Sequence, residues 1–110
     1  MNGWANRETW LFTLHFPDWR MENEKLLQDI MEEDEETDNT VKMKNAIKAL
    51  LREDVEHLSM LFEDIIYHAK QQRPSPQYQQ SIDFIYDITN CDTNNININE
   101  LTEYYFNDAQ

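Results

Sequence analysis

At 110 residues, with 40% apolar and 12% aromatic content, the chain has material for one hydrophobic core. It has too little for two, and too much for an unfolded acidic tail, so one domain over residues 1–110 is expected. A formal charge of -13 opposes direct contact with nucleic acid or anionic membranes. The lone cysteine, Cys91, excludes an internal disulfide and any zinc site built on several thiolates.

In chain order, Asn6 is placed to cap a helix opening with Arg7-Glu8-Thr9. Ala5 and Trp10 have the spacing of a hydrophobic staple across that cap. Trp10, Leu11, Leu14 and Phe12 give this helix its apolar face; Trp10, Phe12, Leu14 and Phe16 also alternate as a strand would, and helix is the preferred reading. Pro17 ends it, and Asp18 is placed to cap a second helix. Trp19, Leu26, Leu27, Ile30 and Met31 form the apolar side of that helix, with Asn23 at its edge. Glu33-Asp34-Glu35-Glu36 repel one another and have no apolar period, so the helix should fray there into a solvated loop.

From Val41 to Ala69 an apolar stripe of Ala46, Ile47, Leu50, Leu51, Val55 and Leu58, continued by Leu61, Phe62, Ile65 and Ile66, runs without glycine or proline. It predicts a central helix of about eight turns. Thr40 is the expected cap, Lys70 and Arg73 suit its C-terminal dipole, and a bend at Arg52-Glu53-Asp54 is compatible with the pattern. Pro74-Ser75-Pro76 marks a loop. Tyr78, Ile82, Ile85, Tyr86 and Ile88 then give another helical face. The Asn/Asp/Thr-rich stretch from Asn90 to Asn97 favours turns, and a last short helix is expected from Asn97 or Asn99 to Asn107. The expected fold is all-α, a compact bundle of about four to five helices around one long one.

The charge is unevenly placed. Ten carboxylates between Asp18 and Asp38 face only Arg20 and Lys25, and the chain after Arg73 holds six acidic residues and no lysine or arginine. Residues 39–73 are close to neutral, with six basic and five acidic side chains. Carboxylates on successive helical turns recur every ~5–6 Å, comparable with the phosphates of a nucleic-acid strand, so a rigid acidic helix can occupy a basic groove. Two candidate contact patches follow: Glu22, Glu24, Asp29, Glu32, Glu33, Asp34, Glu35 and Glu36; then Asp83, Asp87, Asp92, Glu100, Glu103 and Asp108. The plain alternative is a solvated surface that maintains solubility. Trp4 and Trp19, beside helix ends, are the aromatic residues expected to be partly exposed.

Catalysis has little support in the residues. His15, His57 and His68 stand apart from any nucleophile or carboxylate at a known spacing. An EF-hand aligned on Glu100 puts Thr89, Cys91 and Thr93 where carboxylates belong and Asn94 where glycine belongs. With Gly3 the only glycine, no phosphate-cradling loop exists either. Neither enzyme activity nor a cofactor is expected. No run of about 18 apolar residues occurs and Met1-Asn2-Gly3-Trp4 lacks the pattern of a secretory signal, which points to the cytoplasm.

The opening Gly3-Trp4-Ala5-Asn6-Arg7-Glu8-Thr9-Trp10-Leu11 resembles a family of small proteins of phages, plasmids and their hosts that begin Gly-Trp-x-Asn-Tyr-Glu-Thr-Trp. Arg7 replaces the family's tyrosine, and Leu14-His15-Phe16 departs from its Leu-Trp continuation. The segment Ile98-Asn99-Glu100-Leu101-Thr102-Glu103-Tyr104-Tyr105 is similar to the family's ending. The resemblance implies a helical fold and a mobile-element source, and it carries over no catalytic residue. Together, source and charge lead to an expectation: a phage-encoded inhibitor acting in the host cytoplasm on a basic nucleic-acid-binding defence protein, such as a CRISPR effector or restriction enzyme. The alternative is an assembly or regulatory module that homodimerises through the long helix.

Overall fold

A computed structural model describes residues 3–68, Gln80, Phe84 and residues 93–108. The expected Pro74-Ser75-Pro76 loop, the face from Tyr78 to Ile88 and the positions of Ala69, Lys70 and Arg73 lie outside the described residues, as do the side chains of Ile65 and Ile66.

Asn6 starts helix α1 (Arg7–His15), its Oδ1 accepting the Thr9 N–H at 2.9 Å and the Thr9 hydroxyl at 2.6 Å. The cap is as expected from the sequence, and of the expected apolar face Leu11 and Phe12 are buried but Leu14 is not. Glu8, Thr9, Leu11, Phe12 and Thr13 turn inward, while Leu14 is 55% exposed. The inward threonines are tolerated because their hydroxyls are bonded, Thr13 to the Trp10 carbonyl and Thr9 to Asn6. Phe12, 1% exposed, therefore sets the orientation of the helix. Ala5 is exposed, and its N–H donates to the Glu100 carboxylate, at 3.0 and 3.1 Å.

The expected second helix is two. A single turn, α2 (Trp19–Glu22), is followed by α3 (Glu24–Glu33), with Asn23 between them at φ -106 and ψ 10. Asn23 turns its side chain back on the helix: both its Nδ2 and its backbone N–H donate to the Trp19 carbonyl, at 2.8 and 3.1 Å. This local competition with regular helix is the known weakness of Asn inside helices. Asp18 makes no side-chain cap. The break changes which residues are buried: Trp19 is 3% exposed and Leu27 fully buried, whereas Leu26 is 52% exposed. Trp19 is thus core, contrary to the expectation of partial exposure, because its indole N–H has a half-buried carboxylate partner 35 positions away. Trp4 is half-buried, edge-on to Tyr104.

After the acidic stretch, which leaves the helix at Asp34, α4 (Asn39–His68) runs 30 residues, about 45 Å at the usual rise. The helical assignment continues through residues 52–54. Its cap is Asp38, not Thr40: Asp38 Oδ1 accepts the N–H groups of Thr40 and Val41. The carboxylate outcompetes the threonine hydroxyl because it also favours the positive end of the helix dipole. From Ala46 to Leu58 the stripe is buried as its period requires, but Val41 is 39% exposed. It sits in the first turn of α4.

A 3-10 turn (Thr93–Asn95) leads into α5 (Ile98–Asp108), whose first turn is capped by Asn97 Oδ1 accepting the Glu100 N–H at 3.0 Å. α4 packs on α3 and, more extensively, on α5, and α1 and α2 close against α5. Among the described residues no strand occurs, and no helix is long and apolar enough to cross a membrane. The core centres on Phe12, Leu27, Ile47, Leu51, Leu101 and Tyr105, with Phe84 inserted edge-on to Phe12. Tyr105 is wholly buried, and its hydroxyl donates to the Phe16 carbonyl at 2.9 Å. Burial, assisted by the nearby negative charges of Asp108 and Asp54, drives its phenol far above the ordinary value. Tyr105→Phe should cost about 0.5–1.5 kcal/mol, the usual net contribution of one hydrogen bond, since the Phe16 carbonyl keeps the Trp19 N–H at 3.3 Å; the loss is seen as a lower urea midpoint with unchanged slope.

Candidate functional site

The opening segment and the start of the last helix meet one another. Asn6 Nδ2 donates to the Asn95 carbonyl at 2.6 Å, and the Asn97 N–H donates to the Thr9 hydroxyl at 2.8 Å. With the Ala5–Glu100 pair, these bonds join the start of α1 to the start of α5. Arg20 Nη1 adds a bond to the Tyr105 carbonyl at 2.9 Å. The opening motif is thereby accounted for as a clasp between distant parts of the chain. Asn6→Ala removes a cap and a long-range bond together, and should lower stability by about 1.5–3 kcal/mol, measured by urea unfolding.

The first acidic patch is displayed outward. Glu22, Glu24, Asp29, Glu32, Glu33, Glu35 and Glu36 are exposed, and Asp34 is half-buried. Glu24 meets Arg20 at 3.4 Å and accepts from Gln28, while Asp34 and Glu36 accept loop N–H groups. Among the described residues, no ion pair or hydrogen bond engages Glu22, Asp29, Glu32, Glu33 or Glu35. Lys25, exposed on α3, lies between these carboxylates in sequence and dilutes their field.

The second patch is less free. Asp83, Asp87 and Asp92 lie outside the described residues. Glu100 is half-buried in the clasp, and Glu103 pairs with Lys44 at 3.1 Å. Asp108 is exposed.

Sequence reasoning missed a third acidic surface. The near-neutral total over residues 39–73, which also counts Lys70 and Arg73, hides two unlike halves of α4: Lys42, Lys44, Lys48 and Arg52 come first, then Glu53, Asp54, Glu56, Glu63 and Asp64. This order runs against the helix dipole, which favours acids at the N-terminal end. A cleft of about 670 Å³ opens beside the acidic half. Its apolar floor is Phe12, Phe16, Trp19, Leu58 and Leu61; its polar rim includes Glu22, Asp54, His57 and Asp64. Reading the charge of α4 half by half would have revealed it.

Asp54 is the cleft's half-buried carboxylate. Its Oδ2 accepts the Trp19 indole N–H at 2.7 Å. Burial raises its pKa and the indole bond lowers it, with burial the larger effect. A carboxyl whose folded pKa is raised disfavours the fold once ionised, so this penalty is present above the folded pKa and absent below the unfolded one. Asp54→Asn keeps an acceptor for the indole and removes the buried charge, so it should be at least as stable as the parent at neutral pH, the advantage vanishing in acid. Asp54→Ala leaves the indole N–H unpaired and should lose about 1–3 kcal/mol. Thermal melts of both variants at neutral and acid pH check the pair.

The cleft also places His57 near carboxylates. Among the described residues His57 makes no hydrogen bond, and no serine, threonine or cysteine lines the cleft. A histidine base needs both an orienting partner and a group to activate, and the described lining residues place neither on His57. No group of three or more His, Cys, Asp or Glu side chains converges as a metal site among the described residues. Comparisons of the chain with protein-family models, curated proteins and solved structures give no match.

Proposed function

We propose that this protein works by binding a basic surface of another macromolecule, as a phage-encoded inhibitor that occupies the nucleic-acid-binding groove of a host defence protein such as a CRISPR effector or restriction enzyme. The reading rests on one observation: five carboxylates of the α2–α3 region and its loop, Glu22, Asp29, Glu32, Glu33 and Glu35, point outward without a partner among the described residues. Carboxylates left unpaired on helices of fixed geometry are available to a partner's lysines and arginines, and they steer association at a rate that falls with salt. The alternative, homodimerisation through α4, has less to stand on, since its stripe from Ala46 to Leu58 is buried against the protein's own helices.

The test is affinity capture from the natural host, with elution by moderate salt and competition by duplex DNA. Recovery of a nucleic-acid-binding protein displaced by DNA supports the reading. Capture that DNA leaves untouched rejects it. Sedimentation at two concentrations separates the dimer, which changes with dilution, from the monomeric inhibitor.

A further inference from the structure

We infer that the cleft between α1–α2 and the second half of α4 receives an arginine side chain presented, with its apolar neighbours, by a basic segment of another protein. The cleft is about 670 Å³, within the usual range of ligand-sized clefts and larger than one side chain needs. No lysine or arginine is among its described lining residues, while Glu22 and Asp64 stand exposed on its rim and Asp54 is half-buried beside its floor. Along α4 no basic Lys or Arg follows Arg52 before the helix ends at His68.

The chemistry selects arginine over a simple cation. Of the aromatic residues lining the cleft, Phe12 and Trp19 are buried and Phe16 is half-buried, so Phe16 is the ring on which a guanidinium can stack while its edge donates to carboxylates. Asp54 gives Oδ2 to the indole, and its Oδ1 accepts no bond among the described residues. That oxygen has acceptor capacity in a partly dehydrated place, where a charge-assisted bond is stronger than in water. An all-apolar ligand would leave these carboxylates desolvated without compensation. The inference rests on the preceding reading only in taking the partner to be basic.

The experiment uses the full chain and an acetylated, amidated peptide, Gly-Ser-Leu-Arg-Leu-Ser-Gly, with citrulline replacing arginine as a neutral control. The reporter is the Trp19 indole N–H signal in proton NMR, assigned with Trp4→Phe and Trp10→Phe variants. The arginine peptide should shift that signal saturably, the citrulline peptide should bind at least about tenfold more weakly, and Glu22→Gln combined with Asp64→Asn should weaken the arginine peptide by at least about tenfold, a difference equal to ~1.4 kcal/mol. Both replaced carboxylates are exposed and unbonded among the described residues, so the variant keeps the fold. Equal binding of the two peptides, no saturable shift, or a shift driven by protein concentration alone, which would assign the cleft to a second copy, overturns the inference. Asp29→Asn with Glu32→Gln and Glu33→Gln leaves peptide binding unchanged while weakening displacement of DNA from the captured partner, so failure of the cleft and failure of the acidic-face reading are told apart.

Discussion

Phe12→Ala is expected to lower stability by about 3–5 kcal/mol, the range for removing a fully buried aromatic ring. Phe12 is 1% exposed and lies 4.6 Å from Phe16, 5.8 Å from Phe84 and 6.2 Å from Tyr105, centroid to centroid. One truncation therefore opens a cavity where α1, α5 and the Phe84 position converge. Against a typical domain stability of about 5–15 kcal/mol, the variant is marginal at 37 °C. Phe12→Leu should cost less, because it refills part of the volume. Urea unfolding followed by circular dichroism measures both, and a Phe12→Ala loss below about 1.5 kcal/mol would mean that the ring is not the keystone described here.

The second large effect concerns binding. Replacing Glu22, Asp29, Glu32 and Glu33 with their amides should weaken affinity for the captured partner by about 10–1000-fold, if each exposed contact contributes about 0.3–1 kcal/mol. The dependence of affinity on salt should flatten in parallel, because fewer charge pairs are screened. Folding should be unaffected or slightly improved, since like charges on one helix are relieved. Titration of the parent and the variant at two salt concentrations, with a thermal melt of each, decides it; unchanged affinity would remove these residues from the interface.

Local signals in the sequence predicted local structure well. Asn6 as a cap, Pro17 as a stop, the acidic loop from Asp34 and the start of α5 at Asn97 are each settled within a few residues by capping and repulsion. What was illegible depends on distant partners. Trp19 is buried because Asp54 and Tyr105 receive it, and neither lies within a helical turn of it in sequence. Asn23 looked like a polar blemish on one helix and proves to be the joint between two. Leu14, Leu26 and Val41 share the apolar character of the core but not its side, since the inward faces are set by Phe12, Leu27 and the helices that cover α4. The cleft was hidden for another reason: its acids are cancelled, in any sum over residues 39–73, by Lys42, Lys44, Lys48 and Arg52 in the opposite half of the same helix together with Lys70 and Arg73 after it.

The clasp between the two segments also orders events in time. Glu100 holds Ala5 across 95 positions, Asn97 holds Thr9 across 88, and Tyr105 reaches Phe16 across 89. During synthesis, then, α1 waits for its anchoring partners until residues 97–105 have left the ribosome, and the chain made before them carries Phe12, Trp19 and the stripe of α4 without those partners. Loop closure over such separations slows folding relative to a bundle of local contacts, and a net charge of -13 opposes association of chains still waiting to close.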